Sequence, residues 1–168
     1  RVERSEVSLG NRRLAVIDPA GGEQPFFSPD GRLALVYNGE IYNFRELRAE
    51  LETRGHAFTT RSDTEVLLHT LLEFGRDGLR RLNGMFALAL HDASSGRLLL
   101  ARDPAGLKPL FYRWDGHRLI FASEVKSLLQ HPEVRAELDP DALHLLLNIR
   151  FVPGERTLFR GVRQLPAG

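Results

Sequence analysis

Strand-like and helix-like segments that fall into separate groups, rather than strict alternation, predict an α+β fold for this chain. Three observations carry that expectation: short apolar runs rich in Val, Ile and Leu near the start, two capped helical repeats in the middle, and closely spaced strand-like runs afterwards. With 168 residues, 42% of them hydrophobic and 27% charged, the chain is long enough to bury a core without disulfide or metal staples.

Residues 13–18 and 33–37 read as two strands of one sheet, separated by Pro19, Gly21-Gly22, Pro25 and the turn Pro29-Asp30-Gly31. Asn43 followed three residues on by Glu46 reads as a capping box, and Phe44, Leu47 and Leu51 then recur on one helical face until Gly55. Ser62 with Glu65 repeats the signal, and Leu67, Leu68, Leu71 and Leu72 form a more buried stripe that ends at Gly75. After a short helical turn around Leu79 and Leu82, residues 85–91, 97–102, 110–113 and 119–122 are strand-like, and their short connections predict an antiparallel sheet. A helix over 124–130 is stopped by His131-Pro132. Beyond Arg135, Asp139-Pro140-Asp141 caps one more Leu-rich helix. Pro153, Gly154, Pro166 and Gly168 then punctuate what reads as an open tail, a linker or the edge of a following domain.

Composition excludes several classes of function. The absence of Cys removes a disulfide scaffold, a thiolate zinc site and the commonest nucleophile for amide chemistry. Lys plus Arg is 23 against 22 for Asp plus Glu, with the signs interspersed, so neither nucleic acid nor membrane is expected as a partner. The longest apolar run, 85–90, is far shorter than the roughly 20 residues of a membrane span. The opening Arg1-Val2-Glu3-Arg4, without an initiator Met or an apolar leader, leads to the expectation of a piece cut from a longer protein.

The most specific stretch is Tyr37-Asn38-Gly39-Glu40-Ile41-Tyr42-Asn43, directly after an apolar strand. An Asn side-chain amide beside a Gly backbone N–H can aim two donors at one developing oxyanion, while Asn-Gly is equally a strong turn signal. Arg13 at the start of a strand could fork onto a carboxylate, and Asp63 at the first turn of a helix, with Glu40, could accept from an ammonium; together they would grip both ends of an amino acid. Taken singly, Arg13 reads as a solvated edge residue and Asp63 as a complement to the helix dipole. Ser5 and Ser8 have no His–acid pair to activate them, and the six histidines lack metal-ligand spacing and read as surface or capping residues. Asp103 and Lys108 read as scaffold or interface residues, and Phe111, Tyr112 and Phe121 as core aromatics.

Five motifs in register make the pattern recognisable. The segments Gly10-Asn11-Arg12-Arg13-Leu14-Ala15-Val16-Ile17-Asp18, 37–43, Arg61-Ser62-Asp63-Thr64-Glu65, Leu82-Asn83-Gly84-Met85-Phe86-Ala87 and 102–112 closely resemble the glutaminase domain of the asparagine synthetase family, a class II glutamine amidotransferase domain. The resemblance covers nearly the whole chain. It implies the four-layer αββα sandwich of the N-terminal nucleophile hydrolases, incomplete at its first strand. Residue by residue, it implies that Arg13 holds the α-carboxylate of L-glutamine, that Asp63 and Glu40 face the α-ammonium, and that Asn38 and the Gly39 amide form the oxyanion hole. Leu14, Ala15, Val16 and Ile17 would line the pocket through backbone contacts.

In that family glutamine is hydrolysed through a thioester on an N-terminal Cys, and the ammonia released amidates aspartate in an ATP-dependent second domain. The Cys lies well upstream of the position matching Arg13, yet only twelve residues precede Arg13 here. The resemblance therefore implies a chain lacking its nucleophile segment and inactive by itself. The expected organisation is a glutaminase domain over 1–134 and a linker with the start of the synthetase domain over 135–168. The partners implied are L-glutamine and the C-terminal synthetase domain of the same polypeptide, with a homodimer left open and a cytoplasmic location. No cofactor or metal is expected in this chain; ATP and Mg belong to the synthetase domain. Two alternatives are a structural or docking domain in a Cys-less relative, as β-lactam synthetases resemble, and a glutaminase domain feeding a synthase of glucosamine phosphate or a phosphoribosylamine.

Overall fold

The computed structural model describes residues 2–4, as backbone, 7–12 and 22–168. Two compact units divide the chain, Arg1–Ala101 and Arg102–Gly168. In the first, β1 (Val2–Arg4) pairs antiparallel with β2 (Val7–Leu9). A separate four-stranded sheet has the order β3 (Phe26–Phe27), β4 (Leu33–Ile41), β5 (Gly84–Asp92), β6 (Arg97–Arg102). The expected strand over 13–18 lies outside the described residues.

β4 is longer than the apolar run that announced it. It continues through Asn38 and Gly39 to Ile41, in unbroken antiparallel register with β5 from Leu33 opposite Asp92 to Ile41 opposite Gly84. The turn reading of Asn-Gly is thereby overturned. Pairing along nine residues outweighs the local preference, and Gly39 sits opposite Phe86 in mid-strand.

One face of β4 is covered by two helices, α1 (Phe44–Thr53) and α2 (Asp63–Phe74). Leu33, Leu35, Tyr37 and Ile41, at the strand's period of two, pack with Leu47 and Leu51 of α1 and Val66, Leu67, Leu68 and Leu71 of α2. The two capping boxes are not built as their spacing suggests. Asn43 does precede α1, but its φ of −92° and ψ of 25° are not the extended backbone of a capping residue. Its side chain instead donates to the Arg81 carbonyl at 2.9 Å and accepts from the Asn83 amide at 2.9 Å. Ser62 is a true cap, accepting from the Thr64 amide at 3.2 Å. Glu65 reaches past it, to the amides and hydroxyls of Thr59 and Thr60 at 2.6 to 2.8 Å. A 3-10 helix, Gly75–Arg81, then leads into β5.

In the second unit β7 (Phe111–Trp114) is flanked by β8 (Leu119–Ala122) and β9 (Val162–Gln164), both antiparallel. The tail expected to be open thus supplies a strand. The helix expected over 124–130 is a single turn, α3 (Val125–Leu128), followed by α4 (Pro140–Ile149), which Asp139 caps at the amides of Asp141 and Ala142. Leu128, Val134 and Val162 are the buried centre of this unit. Asp103, fully buried, accepts from the Leu107 and Lys108 amides at 2.9 and 3.0 Å, while the Arg102 guanidinium donates to the Gly106, Lys108 and Leu165 carbonyls. These contacts fit the scaffold reading of Asp103.

Candidate functional site

β4 presents its backbone groups alternately to its two edges. The Tyr42 amide donates to the Asn83 carbonyl on the β5 side, whereas the Tyr37 amide donates to Gln24 and the Ile41 amide to Asp63 on the opposite edge. The N–H of Gly39, midway between Tyr37 and Ile41, therefore points to that same edge. Among the described residues, β3 pairs with this edge only at Ala34 and Leu35, and no strand covers it further on. The even-numbered Asn38 and Glu40 project their side chains from the face opposite Tyr37 and Ile41. Asn38 is exposed and Glu40 half-buried.

Side chains fix the edge on either side of Gly39. The Asn11 amide donates to Gln24 Oε1 at 2.5 Å and to the Tyr37 carbonyl at 3.0 Å, and the same Gln24 oxygen accepts from the Tyr37 amide at 2.7 Å. Both backbone groups of the residue before Asn38 are thus clamped. At the other end the Asp63 carboxylate, 3% exposed, accepts through Oδ2 from the Tyr37 hydroxyl at 2.9 Å and from the Ile41 amide at 3.1 Å. Burial foremost, and then the neighbouring Asp63 carboxylate, push the Tyr37 phenol well above its ordinary pKa, so it stays protonated and donates.

Asp63 is placed by the start of α2. As the first helical residue after the Ser62 cap it is held over β4 by the loop 59–62, which Glu65 ties to its own helix. Burial pushes the Glu65 carboxyl up, but its hydrogen bonds from Thr60 and Thr59 outweigh that and hold it below 4.5. A carboxylate whose folded pKa lies below its unfolded one contributes stability that is complete above the unfolded value and is lost as pH falls through the folded one. Glu65→Gln should therefore lower the neutral-pH stability by about 2 kcal/mol. It should also flatten the loss of stability below pH 4.5 in urea titrations across that range.

The structure ties Asp63 to the edge of β4 beside Gly39, through Tyr37 and through Ile41, which lies 22 residues earlier in the chain, whereas the side chains of Asn38 and Glu40 project from the other face of that strand. Arg13, Leu14, Ala15, Val16 and Ile17 lie outside the described residues. Sequence reasoning missed Asn11, Gln24 and Tyr37 as members of the site. For Tyr37 a signal existed, since a tyrosine at a buried strand position needs a partner for its hydroxyl; for the two amides there was none. The surface reading of the histidines fails at His69 and His91, which are 4% and 9% exposed. His69 packs on Phe58 and meets His56 Nδ1 at 3.0 Å. Among the described residues no group of three or more His, Cys, Asp or Glu is arranged to hold a metal ion. No helix among them is long and apolar enough to cross a membrane.

Comparison with known proteins gives one consistent picture. The asparagine synthetase [glutamine-hydrolyzing] 3 of Bacillus subtilis is 41% identical over 164 residues, 95% of this chain and 26% of that protein. A putative glutamine-hydrolyzing asparagine synthetase of Mycobacterium tuberculosis is 43% identical over 171 residues, 96% of this chain and 26% of the relative. The chain thus spans about a quarter of the length of these relatives. Among solved structures, the glutamine phosphoribosylpyrophosphate amidotransferase of B. subtilis superposes with a TM-score of 0.54 at 34% identity, over 62% of this chain and 25% of that one. An allosteric regulatory enzyme of purine biosynthesis does so with a TM-score of 0.56 at 33% identity, over 64% and 25%. These neighbours bear out the α+β class and the amidotransferase type of fold. The model of the glutamine amidotransferase domain matches residues 2–168, and the chain belongs to that family.

Proposed function

We propose that this chain is the glutamine-binding part of a glutamine-hydrolysing asparagine synthetase, in which ammonia released from glutamine amidates aspartate at the expense of ATP. The observation that carries the reading is the edge of β4, where the Gly39 N–H is flanked by the buried Asp63 carboxylate on one side and the clamped Tyr37 backbone on the other. The identity of 41% with synthetases of that name gives the reading its acceptor. In this reading residues 1–134 would be the glutaminase domain and 135–168 the approach to a synthetase domain that holds ATP and Mg, with β9 of that segment still paired to β7.

The amino-acid end of glutamine would lie against Asp63, with Glu40 nearby and Arg13 forking onto the α-carboxylate. The carboxamide would extend along β4 to Asn38 and Gly39. When a nucleophile adds to the carboxamide carbon, its oxygen becomes an oxyanion, and the Asn38 amide and the Gly39 N–H are donors suited to that charge. Preorganisation comes from the fold. Gly39 is fixed by pairing with β5, and the strand just before it by Asn11 and Gln24.

In the family resembled the attacking group is a Cys thiolate, and this chain contains no Cys. Donors that stabilise an oxyanion give no covalent route without the group that forms it. The 168-residue chain incubated with glutamine is expected to bind it and to release no glutamate above a buffer blank. Measured glutamate release would contradict the inactivity. Absence of any glutamine-dependent shift in its amide spectrum would contradict the binding.

A further inference from the structure

We infer that Tyr37 is a positioning residue for recognition of the ligand's α-ammonium, acting through Asp63 without touching the ligand itself. The inference rests on the reading of Asp63 just given and adds a residue to it. Three observations support it. The Tyr37 hydroxyl donates to Asp63 Oδ2 at 2.9 Å, and the Ile41 amide donates to the same oxygen at 3.1 Å, so one carboxylate oxygen is held by two donors from one strand. Tyr37 and Asp63 are 5% and 3% exposed, which removes water as a competing donor and makes the contact directional. The backbone of Tyr37 is itself clamped by Asn11 and Gln24, so the hydroxyl projects from a fixed point.

The consequence is a physical link between the two ends of the site. The side chain of Tyr37 orients the carboxylate that meets the ammonium, and its backbone leads straight into Asn38 and Gly39, which meet the carboxamide. A carboxylate that has lost its orienting phenol can rotate about its terminal bond. It must then be ordered again when the ligand binds, and affinity for the ammonium falls. Tyr37→Phe keeps the ring in the buried cluster of β4, α1 and α2 and deletes only the hydroxyl.

The test titrates the full chain with glutamine and with 4-carbamoylbutanoate, which carries hydrogen in place of the α-ammonium, following amide shifts for wild type, Tyr37→Phe, Asp63→Asn and the double variant. Tyr37→Phe is expected to weaken glutamine about tenfold, the size of one hydrogen bond to a charged group. It should leave 4-carbamoylbutanoate within about twofold of wild type, since that ligand makes no use of Asp63. Asp63→Asn should weaken glutamine further, and the double variant should be no weaker than Asp63→Asn alone. Equal loss for both ligands, no loss in Tyr37→Phe, or additive losses in the double variant would overturn the role of Tyr37 while leaving Asp63 in place. Unchanged glutamine affinity in Asp63→Asn, or no binding by wild type, would overturn the underlying reading and this inference with it. If the analogue binds too weakly to titrate, the glutamine cycle over the four proteins decides.

Discussion

Gly39→Ala is expected to remove most of the stability of the first unit. A Cβ at position 39 would stand 2.1 Å from the Met85 carbonyl oxygen, 2.7 Å from the Phe86 Cα and 2.9 Å from a ring carbon of Tyr37. Two of those atoms are backbone of β5, a central strand paired on both sides, so no side chain can swing away to make room. The strands would have to part where they are most regularly paired. The cost should be about 4 kcal/mol or more, at the upper end of what single substitutions do. Gly84 is in a similar position, its Cβ meeting the Glu40 carbonyl oxygen at 2.2 Å, whereas a Cβ at Gly10 meets nothing within 4 Å among the described residues. Urea unfolding of the three alanine variants separates these cases: large losses at 39 and 84, and little change at 10. A Gly39→Ala chain within about 1 kcal/mol of wild type would contradict the packing argument. Strand packing by itself thus demands a glycine here, whatever ligand its N–H meets.

Asp63→Ala should have the second largest effect, and it should be felt twice. The substitution leaves the Tyr37 hydroxyl and the Ile41 amide without the acceptor they share, both in a region from which water is nearly excluded. Two donors stranded in this way cost about 3 kcal/mol together. The first residue of α2 also loses its tie to β4. In the proposed function, glutamine affinity falls as well, because the ammonium loses its nearest anion, by about a hundredfold for a charged hydrogen bond in a buried setting. Asp63→Asn separates the effects. It keeps an acceptor for the phenol and the amide and should recover much of the stability, but it brings no charge to the ammonium and should recover little affinity. Thermal melts and ligand titrations on the same two variants measure both. Equal stability of wild type and Asp63→Ala would contradict the role of the buried carboxylate in the fold.

Much of this was legible in the sequence, because the signals were periodic or tied to local chemistry. The leucine stripe from Leu67 to Leu72, the Ser62 cap and the strands of the second half follow from spacing and turn residues, but those strands divide between two sheets where one was expected, because spacing does not tell which strands pair. Local signals failed where a distant partner competed for the same group. Asn43 looks like a cap until the Arg81 carbonyl and the Asn83 amide take its side chain, and Glu65 turns to two threonines rather than to Ser62. Asn38-Gly39 reads as a turn in any four-residue window, and only the register with β5 makes it a strand. The resemblance to a known family implies that Asn38, Gly39, Glu40 and Asp63 serve one ligand. It could not supply the Asn11–Gln24–Tyr37 clamp, whose members are 13 and 26 residues apart and carry no spacing signal.

In the proposed function Gly39 and Asp63 serve one ligand from one strand edge. Following the backbone amide signals of Gly39, Ile41 and Asp63 in the 15N-labelled chain as glutamine is added tests this. All three are expected to move together and fit a single dissociation constant, with Gly10 unmoved. If Gly39 stays still while Asp63 shifts, or if the two report different constants, no common site exists on that edge.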